Sequence, residues 1–428
     1  VSENWTGRTF EADLGRPGHG GFVVARHDGR VVFVRHGLPG ERVRVRVTED
    51  RGGSFARADA VEVLDPSPLR IDPLCPVSGP GGAGCCDFSH AALSLQREMK
   101  AEVVAEQLRR VAGIDRAVPV EELPGTGTGT GWRTRVRLAV DGDGRPGYHG
   151  YRSADIVTDL RCPQIVSSAY DGLDDHSWRP GSELQVVVDD DGARHVVEIA
   201  APKMSRTGRA SRGRRGATAR RAAGSAPRRE RVVSGSGRAV ERVGGRRWEL
   251  SATGFWQAHR SAAETYSTVV REWARPDPGA HVWDLYGGVG VFAAVVAGDV
   301  GPGGRIDSVE FSATAVRDGA AALADAPQVH FHAARVERAI AELAPNPQVV
   351  ILDPPRSGAG KEVVAAVSAA GPQRIVHVGC DPASFARDLA LYSGHGYHLD
   401  QVRAFDAFPL THHVECLALL VRGDGSGG

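Results

Sequence analysis

The sequence predicts an α/β protein: a doubly wound parallel sheet in the C-terminal part, preceded by a small N-terminal β-barrel and a small α+β central region. Three observations carry this reading. From Trp248 onward, short apolar runs alternate with alanine-rich stretches of helical length, the succession that builds a parallel sheet with helices on both faces. Residues 6–66 instead show closely spaced strand patterns broken by glycine turns, as in a small all-β module. A glycine-rich loop, Asp284-Leu-Tyr-Gly-Gly-Val-Gly290, joins a strand to a helix, the junction at which such sheets bind ligands.

Taken in order, these patterns divide the chain into residues 1–66, 67–247 and 248–428. In the first unit, Phe22–Ala25, Val31–Val34 and Arg42–Val47 read as strands, with turns at Asp28-Gly29, Leu38-Pro39-Gly40 and Arg51-Gly52-Gly53. The third strand alternates Arg with Val, giving one basic and one apolar face. The basic face is either plainly solvated or presents cations to phosphates. The second unit opens on Cys75-Pro76 and Cys85-Cys86-Asp87-Phe88-Ser89-His90, then an amphipathic helix from about Leu93 to Val111. Hairpins follow over Trp132–Tyr151 and Glu183–Ile199, with Cys162 between them. Lys203–Arg231 carries eleven Arg or Lys against the single acid Glu230. That composition predicts a disordered basic loop, either an RNA-clamping arm or a tolerated surface insertion.

In the third unit, strands are expected at Val282–Tyr286, Arg305–Val309, Val349–Leu352 and Ile375–Val378. Helices are expected at Phe292–Ala297, Ala313–Ala324 and Lys361–Ala370. Cys416–Val421 reads as a last strand after a chain reversal. Cys380 falls where the Ile375–Val378 strand ends and a helix begins, with Ser384 placed to cap that helix. A helix N-terminus lowers a thiol pKa below its free value of about 8.5, although a buried, inert cysteine occupies such positions too.

Composition bounds the function. Net charge is zero across 428 residues, so nucleic-acid binding must come from local basic patches rather than the whole molecule. No membrane-spanning run and no apolar signal-peptide core are present, which predicts a cytoplasmic, non-membrane protein. Six cysteines are too few for a disulfide scaffold in a chain this long, leaving catalytic or metal roles. Three clustered cysteines and a distant one can ligate an iron–sulfur cluster. Zinc fits less well because no C-x₂-C pair exists, and free thiols are the plain alternative.

The cofactor loop fits any adenosine-containing group, NAD included. Glu310 ends the next strand, where an acid can hydrogen-bond a ribose, and Asp284 precedes the glycines, where it meets an ammonium or sulfonium end. Asp353-Pro354-Pro355-Arg356 closes a further strand, and Phe408-Pro-Leu-Thr-His-His-Val-Glu415 precedes the last one. If that last strand runs antiparallel, Cys380, Asp353 and Glu415 converge on one sheet edge.

Gly20-Gly21 with Leu38-Pro39-Gly40-Glu41 resembles the TRAM domain, an OB-like RNA-binding module. Asp353–Ala359, Gly379–Asp388 and Phe408–Glu415 resemble the RNA 5-methyluridine methyltransferase family. The resemblance implies a Rossmann-like class I methyltransferase sheet and methyl transfer from S-adenosylmethionine to C5 of a uridine in tRNA or rRNA. It implies Cys380 as the nucleophile at uracil C6, Glu415 as the base for the C5 proton, and Asp353 as the acid between uracil and cofactor. It further implies Gln257, Asp284, Tyr286, Gly288, Gly290 and Glu310 as cofactor contacts. Cys75, Cys86 and Cys162 match three ligand positions of the members that carry a [4Fe-4S] cluster, with Cys85 in place of the fourth. The chain departs from the family's usual Ser-Cys-Asn, having Gly379-Cys380-Asp381. A catalytically spent RNA-binding protein and an NAD-dependent oxidoreductase are the competing readings. RNA is the expected partner, DNA is not, and a monomer is expected.

Overall fold

A computed structural model describes residues 4–202 and 228–423. The N-terminal unit is a six-stranded sheet of β1 (Thr9–Asp13), β2 (Pro17–Gly18), β3 (Phe22–His27), β4 (Arg30–Arg35), β5 (Arg42–Asp50) and β6 (Phe55–Asp65). The strand order is β1-β5-β6-β4-β3-β2, and the chain running directly from β1 through Leu14–Arg16 into β2 pairs with β5 at one end and with β3 at the other, Gly15 and Arg16 exchanging backbone bonds with Val24. Alternation drives it: Val43, Val45 and Val47 point into a core with Val32, Val34 and Ala58, as the two-residue period of a strand requires. Two of the three arginines of the opposite face are already engaged in ion pairs. Arg42 and Arg44 pair with Glu11, and Arg44 also with Glu62, so the basic stripe is largely neutralised.

Helix α1 (Leu93–Gln107) continues into a wider π-helical turn, and the short strand β7 (Val120–Glu122) follows. A second sheet combines β8 (Arg135–Val140), β9 (Pro146–His149), β10 (Ile156–Val157), β11 (Glu183–Val188), β12 (Arg194–Ile199) and β13 (Glu230–Ser234). Both expected hairpins form, β8 with β9 and β11 with β12. The expected basic loop over 203–231 lies mostly outside the described residues. Its last residues differ from expectation: Arg228 pairs with Glu183, and Glu230 begins β13 against β12. Strands β14 (Arg238–Val243) and β15 (Arg246–Ser251) form a separate hairpin.

The C-terminal sheet is built from β16 (His281–Leu285), β17 (Arg305–Glu310), β18 (Val329–Ala333), β19 (Val349–Leu352), β20 (Arg374–Gly379), β21 (Tyr397–Asp406) and β22 (Glu415–Arg422). Helices α2 (Ala262–Ala274), α3 (Val291–Val300), α4 (Ala313–Ala322), α5 (Val336–Ala339), α6 (Gly360–Ala370) and α7 (Pro382–Ser393) intervene. Strand order is β18-β17-β16-β19-β20-β22-β21-β7. β16 to β20 are parallel, and β22 returns antiparallel to β20, with Gly379 opposite Cys416. Fully buried runs such as Val349–Leu352 suit strands covered on both faces. Sequence patterning missed β18 and β21. β21 carries Asp400, Gln401 and Arg403 among its apolar residues and has the exposure pattern of a half-covered strand rather than a buried run. Among the described residues, no helix is long and apolar enough to cross a membrane.

Candidate active site

The parallel strands deliver their C-terminal ends to one edge, and the reversal into β22 starts Glu415 at that same edge. Glu415 opens β22 beside the end of β20, which leads directly into Cys380. Asp353 follows β19, the neighbour of β20 on its other side. Cys380, Asp353 and Glu415 are close enough to perturb one another. Burial pushes the Cys380 thiol up to about 12, and the carboxyls of Glu415 and Asp353 add to the rise while Arg356 opposes it. Burial likewise raises Asp353 to about 7, helped by Asp284. Glu415 is raised well above the usual carboxylate range by burial and Asp353, with Arg356 again opposing. Burial thus disfavours the charged forms of Glu415 and of the Cys380 thiol, and each needs a compensating charge to ionise.

Beside Cys380 lies a cavity of about 130 Å³, walled by Arg356, Lys100 and His413 among others. Benzene occupies an engineered cavity of about 150 Å³, so the space is of the order one planar ring needs. His413 is pushed down to about 3 by burial, with His412 and Arg356 adding to it, and stays neutral there. The helix after Cys380 is capped by Asp381, whose Oδ1 accepts the Ala383 and Ser384 N–H groups at 3.1 and 2.9 Å. Ser384, the expected cap, instead donates its hydroxyl to the Arg356 carbonyl at 2.9 Å. It thereby ties the Asp353–Arg356 loop to the nucleophile helix.

The loop from Phe408 to His413 is strapped from outside. Gln96 accepts the Leu410 N–H at 2.7 Å, and His412 Nδ1 meets Asp87 at 2.6 Å. Lys100, nearly inaccessible, holds Asp406 and the Phe408 carbonyl. None of these braces was visible in sequence, because each joins residues about 300 positions apart. Lys100→Ala leaves the Asp406 carboxylate buried and unpaired. It should cost about 3–5 kcal/mol in urea unfolding, and a loss under about 1 kcal/mol would show that the pair bears little weight.

At the other side of the edge, Asp284 is completely buried at the end of β16, and Ser308 donates to its Oδ2 at 2.9 Å. Its Oδ1 has no hydrogen-bond partner among the described residues. Burial raises its carboxyl to about 6, against the Ser308 hydroxyl and the Ala293 N–H. Gly288 and Gly290 take φ values of +57° and +75°, and a Cβ at Gly290 would come within 2.6 Å of the Phe331 ring. Only glycine accepts both constraints at Gly290 without strain. Trp248 Nε1 pins the loop by donating to the Val289 carbonyl at 3.0 Å. Tyr286 is itself left-handed, at φ +60°. Glu310 ends β17, its Oε1 accepting the Ser312 N–H at 2.6 Å. Gln257 is half-buried in the loop between β15 and α2, and its neighbour Trp256 packs in one core with Val289.

Comparison with known proteins places this geometry. An uncharacterized RNA methyltransferase of Corynebacterium efficiens is 42% identical over 426 residues, covering 97% of this chain and 95% of its own. A Streptomyces coelicolor RNA methyltransferase is 39% identical over 443 residues, covering 97% and 93%. The family model for tRNA (uracil-5-)-methyltransferase matches residues 312–423, and that for the TRAM domain matches 5–61. The chain belongs to the RNA methyltransferase family of these relatives. A crystal structure of the Pyrococcus abyssi tRNA (uracil-54, C5)-methyltransferase with S-adenosyl-L-homocysteine shares the fold. Its TM-score is 0.69 at 20% identity, over 96% of this chain and all of that one.

Membership in this methyltransferase family replaces the oxidoreductase reading, and the buried, unpartnered Oδ1 of Asp284 fits the cationic amino-acid end of S-adenosylmethionine. The cysteine segment fits its expected cluster poorly. Cys75 and Cys86 pack with Leu410 in an apolar nest, Cys85 Sγ lies 4.0 Å from Cys86 Sγ, and Gln164 donates to Cys86 at 3.2 Å. Cys162 packs in the core of the second sheet with Tyr148 and Tyr170, near enough to Cys85 for the two charges to interact. Among the described residues, no three His, Cys, Asp or Glu side chains are arranged to hold a metal ion. Nothing among the described residues therefore supports the iron–sulfur reading of Cys75, Cys85, Cys86 and Cys162. In this family member the segment braces the Phe408–Glu415 loop through Asp87, Phe88 and the thiol nest.

Proposed function

We propose that the protein methylates C5 of a uridine in structured RNA through a covalent bond between Cys380 and C6. The carrying observation is the convergence of Cys380, Asp353 and Glu415 on one buried edge beside a ring-sized cavity. Uracil C5 is too weakly nucleophilic to take a methyl group directly. Attack of the Cys380 sulfur on C6 moves the C5–C6 π pair toward the O4 oxygen and makes C5 an enolate carbon. S-adenosylmethionine supplies the methyl group as an electrophile. Glu415, ionised once the site is loaded, then removes the C5 proton. The pair left on C5 re-forms the ring double bond and expels the Cys380 sulfur. Asp353 lies at the junction of base and cofactor, between Glu415 and Asp284. Asp284, Tyr286, Gly288, Gly290, Glu310 and Gln257 hold the cofactor, and Arg356 offsets the negative charge of the edge. The target base must leave its stack to enter.

Nucleoside mass spectrometry tests this directly. Unmodified tRNA and rRNA are incubated with the protein and methyl-labelled S-adenosylmethionine. Labelled 5-methyluridine in one RNA class supports the reading and names the class, and an unlabelled result in both overturns it.

The raised carboxyls make a further prediction. Asp284 and Asp353 titrate at about 6 and 7 in the folded protein against an ordinary 3.8. The native state therefore binds their protons more tightly and loses stability as pH rises from about 4 through 7. A cationic ligand beside them relieves that loss. S-adenosylmethionine should raise Tm more at pH 8 than at pH 5.5, each further kcal/mol of stabilisation adding roughly 1 °C in a chain of this length. Equal shifts at both pH values would remove these carboxylates from the cofactor site.

A further inference from the structure

The N-terminal module reaches the catalytic edge at the turn between β2 and β3. Gly18–Gly21, between β2 and β3, lines the cavity beside Cys380. Gly20 and Gly21 have φ values of +91° and +80°, and a Cβ at Gly21 would lie 3.1 Å from Asp87 and 3.2 Å from His412. At the tip, His19 Nε2 is 2.8 Å from Asp381 Oδ2, across 362 positions of sequence. A second bridge runs through Asp87, which binds Arg35 of β4 at 2.6 Å and His412 at 2.6 Å.

We propose that His19 is a positioning residue of the catalytic edge, acting through Asp381 to neutralise the carboxylate next to Cys380 and so ease ionisation of the thiol. The inference rests on reading Cys380 as the nucleophile. A carboxylate adjoining a thiol opposes thiolate formation, and Cys380 already faces Glu415 and Asp353. Of the other basic groups around the cavity, Lys100 holds Asp406, His412 is held by Asp87 and His413 is neutral, while Arg356 faces Cys380 and Glu415. Asp381 spends Oδ1 on the helix cap and gives Oδ2 to His19. The hydrogen bond with Asp381 raises the His19 imidazole above its ordinary 6.5. Burial raises Asp381, but the bonds from His19 and the Ser384 N–H outweigh it and hold the carboxyl at about 2. The charge pair is therefore complete below the raised His19 value and is lost as pH climbs through it.

The departure from Ser-Cys-Asn thus has a counterpart: an aspartate that carries charge is met by a histidine from another module. The test follows Cys380 alone, by peptide mass spectrometry of iodoacetamide-labelled full-length protein. His19→Asn, Asp381→Asn and the double variant are compared with wild type between pH 6 and 10. At pH 6.5, His19→Asn should slow Cys380 alkylation about threefold to tenfold. The double variant should return to the Asp381→Asn rate, since the uncompensated carboxylate is gone while an asparagine still caps the helix. An unchanged rate in His19→Asn, or a double variant as slow as His19→Asn, overturns the proposal. Should His19→Asn fail to fold, Asp381→Asn decides. The step in the Cys380 pH profile that follows His19 must vanish, and its persistence overturns the proposal. Alkylation needs no RNA, so a protein inactive on tRNA and rRNA would sink the proposed reaction and leave this result readable.

Discussion

Cys380→Ala should abolish 5-methyluridine formation, by roughly 10⁴-fold or more, as removal of an attacking nucleophile does elsewhere. The replaced group is a single sulfur at the end of β20, lining the cavity. Half-buried Cys380 caps no helix, and the Asp381 cap is untouched. S-adenosylmethionine binding by calorimetry should therefore persist within about twofold, because Asp284 and the glycine loop lie on β16 and α3 rather than on β20. RNA containing 5-fluorouridine sharpens the result. Fluorine cannot leave as a proton, so wild type should accumulate a denaturant-stable protein–RNA adduct and the alanine variant none. Methylation surviving in Cys380→Ala would end the covalent mechanism.

Glu415→Gln should show the opposite signature at the next step. The amide keeps the shape of the buried side chain but cannot accept a proton. Turnover should fall by about 10²–10⁴-fold, the range expected for loss of a positioned base. Addition and methyl transfer precede proton removal, so ordinary uridine RNA should now be trapped as a methylated adduct on Cys380. A variant that turns over normally, or releases 5-methyluridine slowly without any adduct, would assign the proton to another group.

Much of this site was legible because its signals are local. The strand–glycine–helix junction at Asp284–Gly290 is set by backbone geometry within seven residues. Cys380 at a strand end follows from an apolar run meeting Gly379 and Asp381-Pro382. Glu415 before the last buried run carries its register with it, and antiparallel return was the single added assumption. Local capping was read one step wrong: Asp381 and Ser384 both suit an N-cap, and the carboxylate took the amides while the hydroxyl crossed to the Arg356 carbonyl. For the thiols of Cys75, Cys85, Cys86 and Cys162, spacing alone does not distinguish a donor set from thiols packed against Leu410 and Tyr148.

By itself the sequence determined the class of sheet, the cofactor loop, and the thiol and carboxylates its edge presents, since periodicity and turn chemistry act over a few residues. Tertiary structure alone decided which groups those residues face. It set Lys100 against Asp406, Asp87 against His412, β7 at the sheet edge, and His19 against Asp381. Such pairs form because burial requires each charge to find a partner, and the partner is supplied by whatever segment the packed core brings within reach.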